Sequence, residues 1–227
     1  MVIVPYSDRL VLLSRYLQQL VMESLGKALD LDGKEVNQGL NVFGNKGGTD
    51  AHAFIQQLND GRDDFFATFI EVLTEARKIN MGDGFAMGDY LHGFLEGLSA
   101  ALRGKGRQTI QIKLPRLDEF TLGQIIALYE RSVAIYAEFI NINAFHQPGV
   151  QAYKLAANGI LELAAELNGM LEKIAPVTGS AAEIAAKVGK AEKSVEIAGL
   201  LDKAALNSDK VSRSYDANTS AWIYSVK

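Results

Sequence analysis

The nine residues FFATFIEVL, Phe65–Leu73, constrain the fold more than any other stretch. Only Thr68 and Glu71 interrupt an otherwise apolar run. A strand with one face in water alternates apolar and polar residues, and this one does not, so it reads as a strand covered on both faces. Helices packed on either side of a mostly parallel sheet supply that cover. The run is far shorter than the roughly 18–20 apolar residues of a membrane span, and no other run approaches that length.

Two further strands fit the same sheet. VIVP, Val2–Pro5, is short and β-branched, and TIQIKL, Thr109–Leu114, alternates as expected for a strand with one wetter face. Helical periodicity fills the intervals. One helix is expected from Pro5 and Ser7 to about Leu29, with Leu10, Leu13, Leu17, Leu20 and Val21 on its apolar face. A second runs from Asp89 to about Leu102 and stops at Gly104, and a third from Thr121 to about Ile140. Pro148 suits the first turn of a fourth, which reaches about Ile174 with a stripe of Ile160, Leu161, Ala164, Leu167 and Leu171. The predicted fold class is α/β, a mostly parallel sheet flanked by helices over residues 1–175.

Residues 176–227 differ in composition. Two alanine-rich helices, TGSAAEIAAKVGK and KSVEIAGLLDKAAL, precede two short strands around an Asp-Ala-Asn turn. This small helix–helix–hairpin extension resembles a winged helix, a layout often used on DNA. From residue 177 onward, however, seven basic side chains face six acidic ones, too balanced for a phosphate footprint. The whole chain carries a net charge of −4, which argues against nucleic acid or an anionic membrane as a partner. A packing or oligomer-stabilising appendage is the expected role of the tail. Cysteine is absent, so thiol chemistry and disulfides are excluded. The opening MVIVPYSDRL lacks the regions of a signal peptide, and a cytoplasmic location is expected.

Three stretches carry candidate chemistry. In QQLVMES, Gln19 and Glu23 stand i,i+4 on one helix face, although a glutamate near a helix end is usually a solvated charge. GNKGGTDAHAF, residues 44–54, surrounds Lys46 with glycines and ends on His52 beside an aromatic. Taken alone, His52 reads as a packed core histidine and Asp50 as a cap for the following helix. In FHQPGVQAYK, residues 145–154, Gln147 would cap a helix starting at Pro148, with Lys154 about two turns along the same side. A lysine there can meet an anion, though a surface lysine is the plainer reading.

Together these stretches resemble the phosphoglucose isomerase (glucose-6-phosphate isomerase) family. FHQPGVQAYK matches its C-terminal signature, YLQQLVMESLGK its catalytic-glutamate helix and GNKGGTDAHAF its histidine loop, in the family's order across residues 1 to about 172. The resemblance implies a sugar isomerase (SIS) domain that interconverts glucose 6-phosphate and fructose 6-phosphate through a cis-enediol, with no metal or cofactor. It implies that Glu23 is the base moving a proton between C2 and C1. His52 would assist ring opening from the neighbouring subunit of a homodimer, Lys154 would help ring opening, and Gln19 and Gln147 would orient substrate. Ala51 stands where the family usually has glutamine, and Gly48 where serine is common; neither removes a proton-transfer group. The family's first SIS domain, its phosphate loop and its Gly-Gly-Arg signature would precede residue 1, so the chain is expected to be a C-terminal portion, inactive alone. The alternative is a stand-alone SIS module that senses a sugar phosphate. The Glu23, His52 and Lys154 set favours the enzyme, because a sensor has no use for a proton-transfer base.

Overall fold

The computed structural model describes residues 1–227, with Ala51 described through its backbone only. The chain forms two compact units, Met1–Gln147 and Pro148–Lys227. The expected boundary at 175/176 and this division differ by one helix, for a packing reason given below.

In the first unit β1 (Val2–Tyr6) leads through a 3-10 turn at Asp8–Leu10 into α1 (Leu13–Leu25). A hairpin of β2 (Lys27–Leu29) and β3 (Glu35–Gln38) follows, then α2 (Ile55–Asp60), β4 (Phe66–Val72), α3 (Met87–Gly104), β5 (Gln108–Leu114) and α4 (Glu119–Phe139). The main sheet is parallel, in the order β1-β4-β5, with Val4 opposite Phe69 and Phe69 opposite Gln111. The apolar run thus lies at the centre, buried from Ala67 to Glu71.

Period-two alternation divides the core. Val2, Val4, Ala67 and Phe69 face Leu58 of α2 and Leu95 and Leu102 of α3. Ile3, Ile70 and Leu114 face Leu13, Leu17 and Val21 of α1 and Ile125 and Val133 of α4. Helices therefore cover both faces, as the α/β reading requires. The order also resolves the alternation of β5: it is an edge strand with Ile110 exposed.

The helix expected from Ser7 to Leu29 is shorter than its periodicity. It starts at Leu13 and ends at Leu25, and beyond Gly26 the chain turns into β2. The turn from β2 to β3 is set by Asp30, whose Oδ1 accepts from Asp32 N at 3.0 Å and Lys34 N at 2.8 Å, with Gly33 at φ +79°. The glycines of residues 44–48 also have a packing cause. This segment runs along the open edge of β1, with Ile3 N donating to Phe43 O at 2.9 Å and Gly47 N to Pro5 O at 2.8 Å. A Cβ on Gly44 would lie 1.9 Å from Ile3 O, and one on Gly47 2.3 Å from the Tyr6 ring.

The second unit contains α5 (Pro148–Ile174), β6 (Val177–Ser180), α6 (Ala181–Lys187), α7 (Ser194–Asn207), β7 (Val211–Asp216) and β8 (Ala221–Val226). The expected helices and hairpin are present. Thr178, Gly179 and Ser180, expected to begin the first short helix, instead belong with Val177 to a third antiparallel strand, in the order β6-β8-β7. The buried stripe of α5 is Leu163, Leu167 and Leu171, spaced i,i+4, whereas Ile160 and Leu161 are exposed. Those three leucines pack with Ile184, Ile197, Leu201 and Tyr224, which places α5 in the tail's core. Among the described residues no helix is long and apolar enough to cross a membrane.

Candidate functional site

The buried stripe of α1, Leu13, Leu17, Val21 and Leu25, fixes which way the rest of the helix points. Gln19 is left exposed and Glu23 half-buried. One turn apart, they meet: Gln19 Nε2 donates to Glu23 Oε2 at 3.2 Å. The other carboxylate oxygen accepts from Gln147 Nε2, a residue 124 positions later in the chain. Gln147 is delivered by a turn in which Asn143 Oδ1 accepts from Phe145 N at 2.8 Å. Each oxygen of one carboxylate is thus held by a different amide. That arrangement fixes the orientation of an acceptor-only group without a cation directly on it.

A neighbouring residue supports this geometry. Lys27 is buried, and its Nζ donates to Glu23 O at 3.1 Å and Ser24 O at 2.7 Å, satisfying carbonyls that the end of α1 leaves open. Burial holds the Lys27 ammonium below the usual lysine range, and the nearby Glu23 charge works against that shift. Sequence reasoning passed over Lys27. The signal was a lysine immediately after the residue that ends the helix, where a cation complements the helix dipole.

His52 lies in a 3-10 turn at Ala51–Ala53 and is exposed, which removes the reading of a packed core histidine. Asp50 is not the cap expected for the next helix: Phe54 occupies that position, and Asp50 Oδ1 accepts from Thr49 Oγ1 at 3.3 Å. The loop is tied to the turn after β1 by Lys46, whose Nζ stands 2.6 Å from Asp8 Oδ1. No hydrogen bond links His52 to Glu23 among the described residues. Lys154 is exposed on the first turns of α5, in the second unit. Of the five candidates, then, Glu23, Gln19 and Gln147 are in direct contact, and His52 and Lys154 are exposed side chains outside that set.

The sequence pattern of one family, phosphoglucose isomerase, matches residues 1–173, which include all five candidate residues. The chain belongs to the phosphoglucose isomerase family. It is 56% identical over 168 residues to a glucose-6-phosphate isomerase of Geobacter sulfurreducens, covering 73% of this chain and 32% of that protein. To a glucose-6-phosphate isomerase of Parasynechococcus marenigrum it is 57% identical over 167 residues, 74% of this chain and 30% of the relative. The crystal structure of a glucose-6-phosphate isomerase from Chlamydia trachomatis shares the fold with a TM-score of 0.67 at 27% identity, over 73% of this chain and 35% of that one. The chain spans about a third of the length of the curated relatives it matches. In phosphoglucose isomerase terms the match covers the first unit and nearly all of α5, and residues 174–227 lie beyond it.

Proposed function

We propose that this chain carries one side of a glucose-6-phosphate isomerase catalytic site, with Glu23 as the proton-transfer base. The observation that carries the reading is the carboxylate of Glu23 held by Gln19 and Gln147, residues from distant parts of the matched region. A base that must strip a proton from carbon needs its lone pairs aimed, and amide donors aim them without neutralising the charge. Glu23 removes the proton from C2 of the open-chain aldose phosphate and returns it to C1, while the hydroxyl proton passes from O2 to O1; no electron leaves the substrate. Gln19 and Gln147 would orient the sugar, and Lys154 would assist ring opening.

His52 is proposed to serve the site of a neighbouring subunit in a homodimer, which its exposure and its lack of a hydrogen bond to Glu23 support. The phosphate loop and the arginine that steadies the enediolate are proposed to come from a further SIS domain, because electrostatic stabilisation of that oxyanion is a dominant contribution in such reactions. The enzyme is proposed to act in the cytoplasm in glycolysis and gluconeogenesis. The experiment is a coupled isomerase assay on the 227-residue chain, on the chain joined to a family N-terminal domain, and on that pair with Glu23→Gln. The chain alone should show negligible turnover, the pair should be active, and Glu23→Gln should abolish the restored rate. Unchanged turnover in the Glu23→Gln pair would remove Glu23 from the role of base.

A further inference from the structure

The face of the main sheet covered by α3 holds a second polar cluster that the isomerase reading does not use. Glu71 is one of the two polar residues in the central strand, and period two points it the same way as Ala67 and Phe69, toward α3. There it meets His92 and Glu96, which stand i,i+4 on that helix and share a face. His92 Nδ1 lies 2.5 Å from Glu71 Oε1. Glu71 is about nine-tenths buried, and its second oxygen, Oε2, has no hydrogen-bond partner. Among the described residues the lysine or arginine paired with it is Lys113, opposite Glu71 on β5, with Nζ 3.8 Å from Glu71 Oε2 and 3.3 Å from Glu96 Oε1. Gln111 Nε2, at 3.4 Å, supports the other oxygen of Glu96.

We propose that Glu71, His92 and Glu96 form a divalent-cation site of the zinc class, with the Lys113 ammonium as the cation that the metal displaces. One ligand atom from each of the three residues already falls within 4.8 Å of the others. Bonds of about 2.0–2.2 Å to imidazole nitrogen and carboxylate oxygen place tetrahedral ligand atoms about 3.4 Å apart, which side-chain rotations on the solvent side of α3 can reach. One nitrogen and two carboxylate oxygens suit zinc rather than magnesium or calcium, which call for six or more oxygens. Charge supports the same choice. Two carboxylates against one lysine leave a net negative charge beside a buried oxygen that lacks a donor, and a doubly charged ion in place of the lysine balances it. The Lys113 side chain is partly exposed on a flexible stem and can turn out to water. Glu71 and His92 also line a cavity of about 550 Å³ beyond the carboxyl ends of β1 and β4, which leaves room for water or a small ligand as the fourth donor. The proposal does not rest on the isomerase reading.

The test is calorimetric titration of Zn²⁺ into the 227-residue chain, with bound metal counted by elemental analysis after gel filtration. One equivalent should bind. His92→Ala and Glu96→Gln should each weaken binding at least ~10-fold, since each removes a ligand. Lys113→Met should tighten binding by about 10-fold, because it removes the competing cation. His52→Ala and His146→Ala should bind like the parent. Less than one equivalent in the parent, unchanged affinity in His92→Ala, or no tightening in Lys113→Met would each overturn the proposal.

Discussion

The two units treat polar groups differently. All six buried polar or charged residues among those described, Ser14, Lys27, Thr68, Glu71, Ser99 and Thr121, lie in Met1–Gln147. So do the buried side-chain atoms without a hydrogen-bond partner, on Asn59, Glu71 and Arg107. In Pro148–Lys227 the buried residues are apolar apart from Tyr224, whose hydroxyl donates to Asp202 Oδ1 at 2.8 Å. That aspartate also pairs with Arg213, and the guanidinium of Arg213 stacks 4.4 Å above the Trp222 ring. Burying a polar group costs stability unless it is fully partnered. The second unit avoids the cost, while the first accepts it at Lys27 beside Glu23 and at Glu71 beside His92. A region organised to hold its shape can be built as the second unit is; a region that presents aimed donors and acceptors cannot.

The strongest way to break this comparison is to damage each core separately. Phe69 and Leu201 are fully buried, one in each unit. Phe69→Ala should cost about 3–5 kcal/mol and Leu201→Ala about 2–5 kcal/mol, from lost transfer energy and the cavity left behind. Amide hydrogen exchange should rise across β1, β4 and β5 in the first variant and across β6, β7 and β8 in the second. Exchange that rises evenly over the whole chain in either variant would mean that the two regions open as one, and the comparison would fail.

A smaller effect sharpens the contrast at two tyrosines. Burial pushes the Tyr6 hydroxyl up to about 12, and burial followed by the Asp202 carboxylate does the same to Tyr224. A raised folded-state pKa means that the unfolded chain releases its proton first, so both contributions are intact below pH ~10 and are lost as pH rises toward ~12. At neutral pH Tyr224→Phe should cost about 1 kcal/mol, the hydrogen bond to an acceptor that stays in contact with water. Tyr6→Phe should cost less, since its hydroxyl has no hydrogen-bond partner among the described residues. Both substitutions should flatten the alkaline limb of stability. Equal neutral-pH costs in denaturant titrations would show that the polar pairing in the second unit does not stabilise it as argued.

The sequence pattern located the parts of this molecule that hydrophobicity alone decides. FFATFIEVL had to be a strand covered on both sides, and Phe66–Val72 is one. The hairpin at Lys27–Gln38 escaped because its strands are three and four residues long and mostly exposed; the Asp-Leu-Asp-Gly turn was its one signal. β6 escaped for the same reason, as four residues of which only Val177 and Gly179 are buried. At the site, Gln19 beside Glu23 follows from helical spacing. Gln147 on the same carboxylate does not, because no local rule joins residues 124 apart, and only the family resemblance placed them in one site. Glu71 beside His92 was legible by neither route, since a lone glutamate in an apolar strand gives no hint of what helix will cover it.

The smallest predicted effect compares how each unit caps a helix. In the second unit Ser180 heads α6: its hydroxyl accepts from Glu183 N at 3.3 Å, and Glu183 Oε2 accepts from Ser180 N at 2.7 Å. In the first unit Asp118 heads α4, accepting from Thr121 N at 2.8 Å and pairing with Arg116. The Thr121 backbone N–H, then Arg116, hold the Asp118 carboxyl down at about 2. Ser180→Ala should cost about 0.5–1 kcal/mol, the low end of capping effects because the bond is long. Asp118→Ala should also destabilise, but with a pH signature. A depressed folded-state pKa gives stability that is present above the unfolded value near 4 and disappears as pH falls toward 2. The gap in urea midpoint between parent and Asp118→Ala should therefore narrow from pH ~4 downward. The Ser180→Ala gap should narrow only as far as Glu183, whose carboxyl Ser180 also holds below its usual range, loses its charge. If the Asp118→Ala gap stays constant between pH 5 and ~2.5, the cap acts through shape rather than charge, and this difference between the units disappears.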